Sequence, residues 1–245
     1  MNYRMVVQYD GWRYRGWQRQ VNQTETIQGK IEQVLSKWLG YGVEIDGAGR
    51  TDAGVHALAQ VANVHLRENL DANQIKQYLN EYLPEDIRIL TVSVAGERFH
   101  SRLNAIGKVY EYHLQKHDCY DVFARKYTWQ MTEKLDLAKM REASDKLCGQ
   151  HDFKGFCTKA SKKKSTIRRI DRIDIVETKD KITLRFEGNG FLYNMVRILT
   201  GTLVEIGMGT RSIQTLDEIL QDGIRQKAGQ TAPAQGLFLA KVKYD

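Results

Sequence analysis

The chain has 245 residues, 42% of them hydrophobic, which is enough to bury a substantial core in one large domain or two small ones; disorder is not needed to explain it. Lys and Arg number 37 against 30 Asp and Glu, giving a formal charge of +7 and a pI near 9.2; this suits a polyanionic partner, although ordinary enzymes carry similar excesses. The opening Met1-Asn2-Tyr3-Arg4 carries a charge into an alternating stretch, and no run approaches the ~18 apolar residues of a membrane helix, so a soluble, cytoplasmic protein is expected. Three cysteines, Cys119, Cys148 and Cys157, make no disulfide framework, and an odd count suits a reducing compartment.

In chain order, Tyr3 to Tyr9 alternates like a strand, and Ile27, Ile31, Val34, Leu35 and Trp38 mark a helix ended by Gly40. Short strands over Val43 to Asp46 and Gln60 to Leu66 flank a glycine-rich loop; Ile75, Tyr78, Leu79 and Tyr82 mark a second helix stopped by Pro84, and Ile87 to Val94 reads as a strand. The order repeats from Val109: a strand to about Leu114, a helix over Leu137, Met140 and Leu147 that stops at Gly149, and strands over Ile167 to Val176 and Ile182 to Phe186 around the turn Thr178-Lys179-Asp180. A helix over Phe191 to Ile206, an extra helix near Ile213 to Leu220 and a strand over Leu237 to Tyr244 complete the pattern. The fold class is therefore α+β: two ferredoxin-like βαββαβ halves with antiparallel sheets, residues 1–104 and 105–245, expected to leave a central cleft of the kind that commonly holds large substrates.

The loop GAGRTDAGVHA, Gly47 to Ala57, sets three glycines, Arg50, Asp52 and His56 between two strands. On its own, an aspartate beside glycines reads as a tight turn in which the carboxylate caps backbone amides. The ordered string, however, resembles the signature of the tRNA pseudouridine synthase A family, whose G-R-T-D-x-G-V-H aspartate is the catalytic nucleophile. The resemblance extends to YDGWRYRGWQRQ from Tyr9, FHSRLNAIGKVYEYHL from Phe99, HDFKGF from His151, NGFLYNMVRILTGTLVEIG from Asn189 and AGQTAPAQGLFL from Ala228, in the family's order over nearly the whole chain.

The resemblance implies an isomerase that turns uridine into pseudouridine in the anticodon stem-loop of tRNA, with no cofactor and no metal. Asp52 would be its only catalytic carboxylate, stabilising or attacking the anomeric carbon as carboxylates do in glycosidases, or removing a sugar proton; both routes stay open. A cation must keep that carboxylate ionised. By resemblance it is Arg197 in NMVR; a surface arginine is the alternative, opposed by Met195, Val196, Ile198 and Leu199, which embed it in an apolar stretch. Tyr110 of Lys108-Val109-Tyr110-Glu111-Tyr112 occupies the family's stacking position for the extruded base, or else is core, and Arg50 resembles the residue that displaces the target nucleotide, or else forms a loop salt bridge.

For holding RNA, Lys159 to Arg172 reads KASKKKSTIRRIDR, mixing Lys162, Lys163, Lys164 and Arg168 with hydroxyls suited to phosphate oxygens. Trp12, Arg13, Tyr14, Arg15 and Trp17 form a second basic and aromatic group, with Trp12 standing where the family more often has a small hydroxyl residue. Arg102 and Lys108 join this RNA-facing set, as does His56, read chiefly as a hydrogen-bonding scaffold. His113, His117 and Cys119, like Cys148, His151 and Cys157, lack structural-zinc spacing. By resemblance the partners are tRNA and a second copy of the chain; an RNA-binding protein without turnover, or an active paralogue acting on other RNA, would share the same basic and aromatic features.

Overall fold

The computed structural model describes residues 1–20, 25–158 and 165–245. Its elements in chain order are β1 (Asn2–Tyr9), α1 (Ile27–Leu39), β2 (Ile45–Gly47), β3 (His56–His65), α2 (Ala72–Tyr82), β4 (Ile87–Ala95), β5 (Gly107–Gln115), β6 (Trp129–Gln130), α3 (Leu137–Leu147), β7 (Gly149–Asp152), β8 (Ile167–Glu177), β9 (Lys181–Gly188), α4 (Met195–Gly207), α5 (Thr215–Asp222) and β10 (Leu237–Lys243). They form two compact units: Met1–Ile106 together with Phe238–Asp245, and Gly107–Leu237. Among the described residues no helix is long and apolar enough to cross a membrane.

In the first unit, β1 buries Tyr3, Met5, Val7 and Tyr9 on one face and pairs antiparallel with both β3 and β4, while β2 pairs with β3. The resulting order β4-β1-β3-β2, with α1 and α2 as crossovers, is the ferredoxin-like arrangement. Helix α1 starts where the Thr26 side chain accepts from the Gly29 N–H, buries Ile27, Ile31 and Leu35, and stops at Gly40, whose φ of 75° closes the last turn. Asp71 caps α2 through the Asn73 and Gln74 N–H groups. The block at Phe99 is anchored from within: the Ser101 N–H donates to Asn63 Oδ1 (2.8 Å), and Asn2 Nδ2 donates to the carbonyls of Gly96 and Phe99. These bonds satisfy polar groups that burial would otherwise leave costly.

In the second unit the sheet runs β5-β9-β8-β7, antiparallel throughout, with β6 parallel to the end of β5. Met140, Ala143 and Leu147 form the buried face of α3, and Gly207 of α4 lies against Met140, where a Cβ would meet the sulfur at 2.7 Å. The block HDFKGF is core: Phe153 and Phe156 are fully buried, and Gly155 leaves room for Ile219 of α5.

Three expectations change. The division after Asn104 misses that β10 returns to the first unit, because Phe238 and Leu239 pair with His56 and Ala57 of β3 and the Tyr244 hydroxyl donates to the Ser101 carbonyl (2.6 Å). The helix expected from Phe191 begins only at Met195, since Asn194 is left-handed (φ 61°) and cannot continue a right-handed helix backwards. The polar strand β7 carries no alternation in sequence and exists because β8 offers it an edge.

Gly201 provides a test of this packing. A Cβ there would lie 1.9 Å from the Gln230 carbonyl oxygen, a backbone atom that cannot swing away. Alanine in a helix interior normally gains about 0.5–1 kcal/mol over glycine, but overpacking costs about 1–3 kcal/mol or more, so Gly201→Ala should lower stability. Gly42→Ala, with open space around it, should be near neutral. Equal guanidinium midpoints for the two variants would contradict this packing.

Candidate active site

The loop after β2 carries Asp52, half-buried, on a backbone held at several points by residues 9 to 17. The Trp17 N–H donates to the Thr51 carbonyl (3.1 Å), and the Gly54 N–H to the Tyr14 carbonyl (3.2 Å). The Val55 N–H donates to the carbonyl of Asp52 itself (3.1 Å), closing a turn in which Gly54 takes a φ of 79°. Tyr9 and Thr51 share a buried hydroxyl–hydroxyl bond of 2.8 Å. Burial holds the Tyr9 phenol neutral by pushing its pKa well above the ordinary value.

Two glycines make this close approach possible. A Cβ on Gly11 would lie 1.9 Å from the Val55 carbonyl oxygen, and one on Gly16, whose φ is 89°, 2.5 Å from that of Thr51. The block YDGWRYRGWQRQ therefore backs the aspartate loop, which corrects part of its expected role. Trp17 is 1% exposed, tilts against Tyr9 with ring centres 5.9 Å apart and covers Gly47, so its ring is core rather than an RNA contact. Arg13 keeps an exposed side chain, but its guanidinium is engaged by Asp86 (Nε–Oδ2 2.5 Å) and donates to the Tyr14 hydroxyl, which in turn donates to Asp86.

His56 is 1% exposed, so it is a scaffold residue and not a surface contact for RNA. Its Nδ1 accepts from the Gly11 N–H (3.1 Å) and lies 3.0 Å from Asp10 Oδ1, while its ring stacks on Phe238. Arg50 is exposed, and its Nε donates to Gln18 Oε1 (3.2 Å), a neutral partner where a loop salt bridge was the structural alternative. Arg102 is exposed beside the anchored Ser101.

In the second unit, Arg197 lies on the first turn of α4, half-buried. Its Nε donates to the Ala232 carbonyl (2.7 Å) and its Nη1 to Asn194 Oδ1 (3.0 Å), so the guanidinium is aimed by two oxygens without formal charge. The Ala232 N–H returns a bond to the Arg197 carbonyl (3.1 Å), and the Gly229 N–H donates to Thr202 Oγ1 (2.9 Å). The blocks from Asn189 and Ala228 are thus two sides of one contact. Tyr110 on β5 is 8% exposed with its ring edge-on to Phe191 (5.3 Å, 86°), and the neighbouring Tyr112 donates its hydroxyl to the Pro233 carbonyl (2.7 Å). Lys108 is half-buried opposite Gly188.

Of the basic run, 159–164, including Lys162, Lys163 and Lys164, falls outside the described residues. Arg168 donates to the carbonyls of Ser165 and Ile167, while Arg169 and Arg172 pair with Asp171 and Asp174. Among the described residues no three His, Cys, Asp or Glu side chains are placed to hold a metal. Residues overlooked in the sequence are the supports Tyr9, Gly11, Gly16, Thr51 and Ala232; the paired glycines of YDGWRYRG were their visible signal.

The sequence matches the family described as tRNA pseudouridine synthase over residues 5–104 and 143–245. It is 47% identical to tRNA pseudouridine synthase A of a Bacillus species over 99% of both chains, and 43% identical to tRNA pseudouridine synthase A 2 of Bacillus anthracis over the same shares. The corresponding protein of Clostridium tetani is 41% identical over 100% of this chain and 99% of its own. Among solved structures, a chain of a Cbf5-Nop10-Gar1 complex aligns at a TM-score of 0.40 and 12% identity, over 97% of this chain and 48% of that longer one, a likeness too low to argue from. With the aspartate loop, its backing block and the arginine helix all inside the matched residues, the chain belongs to the tRNA pseudouridine synthase family.

Proposed function

We propose that the protein isomerises uridine to pseudouridine in the anticodon stem-loop of tRNA, with Asp52 as the catalytic residue. In this reading Arg197 is the cation that keeps the carboxylate ionised, Tyr110 is the face that receives the extruded base, and Arg50 helps to displace the target nucleotide. The observation that carries the proposal is the presentation of a half-buried carboxylate on a loop pinned on both sides of it, at Thr51 and Gly54, in a member of this family. Positioned groups accelerate a reaction by holding reacting atoms in a near-attack geometry, and a pinned loop serves that purpose.

The chemistry asks little else of the protein. The glycosidic bond to uracil N1 breaks, a bond from uracil C5 to the same ribose carbon forms, the C5 proton leaves and N1 gains one. Nothing is oxidised or reduced, so no redox cofactor is required. The orientation of Arg197 by the Ala232 carbonyl and the Asn194 side-chain oxygen supports its role as a positioned cation. The basic balance of the chain supports a polyanionic substrate. Cytoplasmic location and a homodimeric state are carried over from the family.

Asp52→Asn should abolish tritium release from tRNA labelled at uridine C5 while tRNA affinity stays within a few-fold, since the change removes only a charge at the reacting centre. Absence of release by the wild-type protein on any cellular RNA would refute the enzymatic reading. A second variant tests the pinned loop. Gly16→Ala forces the Thr51 carbonyl away and moves Asp52 with it, and a displacement near 1 Å can cost about 100-fold in rate. The expected result is a large loss of kcat with tRNA affinity retained; wild-type kcat would show that the loop need not be held.

A further inference from the structure

The turn from Gly11 to Tyr14 is closed by the Tyr14 N–H donating to the Gly11 carbonyl (3.0 Å), which leaves Trp12 and Arg13 at its two corners. Both ends of the turn rest on the aspartate loop. Gly11 sits against the Val55 carbonyl so closely that a Cβ would lie 1.9 Å from it, and the Tyr14 carbonyl receives the Gly54 N–H (3.2 Å). The base of the turn is held again by His56, whose Nδ1 accepts the Gly11 N–H, and by Asp10, whose carboxylate accepts the Trp12 N–H (2.9 Å). The Trp12 backbone is therefore tied to residues two to four places beyond Asp52.

On this rigid mount the Trp12 indole is 46% exposed, whereas Trp17 of the same block is 1% exposed. It is followed in the chain by Arg13, whose side chain is 57% exposed with its guanidinium on Asp86, and by the exposed Arg15. A large aromatic face with only two rotatable bonds, in a segment that also exposes a cation, is a combination by which proteins stack unpaired nucleobases, because the ring offers area at little entropic cost while the cation attracts the backbone. The exposed Arg15 and the basic balance of the chain favour RNA over an apolar protein partner as the occupant.

We propose that Trp12 is a positioning residue that stacks an unpaired nucleobase next to the target uridine and so sets the register of the RNA over the Asp52 loop. The inference rests on the proposed pseudouridine synthase reading. Trp12 touches a neighbouring base and not the reacting atoms, so its contribution appears in substrate binding and leaves the chemical step alone.

The test compares Trp12→Ala and Trp12→Phe, each in the wild-type and the Asp52→Asn background. Tritium release from C5-labelled tRNA gives KM and kcat, filter binding of the same tRNA to the Asp52→Asn proteins gives affinity without turnover, and thermal melting monitors the fold. Trp12→Ala should raise both KM and the tRNA dissociation constant about tenfold with kcat changed by less than about twofold, and Trp12→Phe should recover most of the loss. The melting temperature should move far less than for a core residue, because nearly half of Trp12 is exposed. Unchanged KM and dissociation constant in Trp12→Ala would overturn the proposal, as would an equal loss with phenylalanine, or a change in sedimentation without a change in RNA affinity. If wild-type protein releases no tritium, the enzymatic reading fails by itself, and the binding arm still decides whether Trp12 stacks on RNA.

Discussion

Two backbone-to-backbone contacts govern the first unit: Gly11 against the carbonyl of Val55 and Gly16 against that of Thr51. Backbone atoms can approach this closely only where no Cβ intervenes, and Gly16 in addition adopts a positive φ that other residues resist. Because the contacts fall on either side of Asp52, the loop cannot drift without unseating the segment that follows β1. That segment is itself fixed by burial, through Tyr9, Tyr14 and Trp17, each at most 3% exposed. The chain of cause runs from an alternating strand, through two glycines, to the backbone position of one aspartate.

The second unit presents Arg197 by the same means. Gly201 and Gly229 let the 228–236 segment lie directly against α4, and from that segment the Ala232 carbonyl accepts from the guanidinium. Asn194 supplies the other oxygen, from a left-handed conformation that also sets where α4 begins. Two neutral oxygens fix the direction of the guanidinium while adding no charge of their own. Elsewhere Arg13 is engaged by Asp86, and Arg169 and Arg172 pair with Asp171 and Asp174. The excess of +7 is a sum over cations with very different surroundings, and the sum alone did not say which of them face a substrate.

The family-like blocks take on distinct physical roles once folded. FHSRLN is a hydrogen-bonded plug around Ser101, HDFKGF is aromatic core with a glycine seat for α5, and the blocks from Asn189 and Ala228 are one contact written in two places. A residue at a close backbone approach, such as Gly11, Gly16 or Gly201, is held to its type by the space around it.

Much of this was legible in the sequence. Period-two alternation marked β1, helical spacing of apolar residues with Gly40 and Pro84 as stops marked α1 and α2, and the ordered string around Asp52 marked the candidate site. Those features are local: they depend on residues close together in the chain, where pattern and backbone preference act directly. What only the tertiary structure decided was non-local. That Trp17 and His56 are buried while Trp12 is exposed, that β10 rejoins the first unit through β3, and that α4 waits for Asn194 all follow from which backbone meets which across long stretches of chain. The sequence by itself determined that an aspartate sits in a glycine-rich loop between strands; the packing of residues 9 to 17 against it decided how that aspartate is held, because a carbonyl at van der Waals distance leaves no mark on the residues that flank it in sequence.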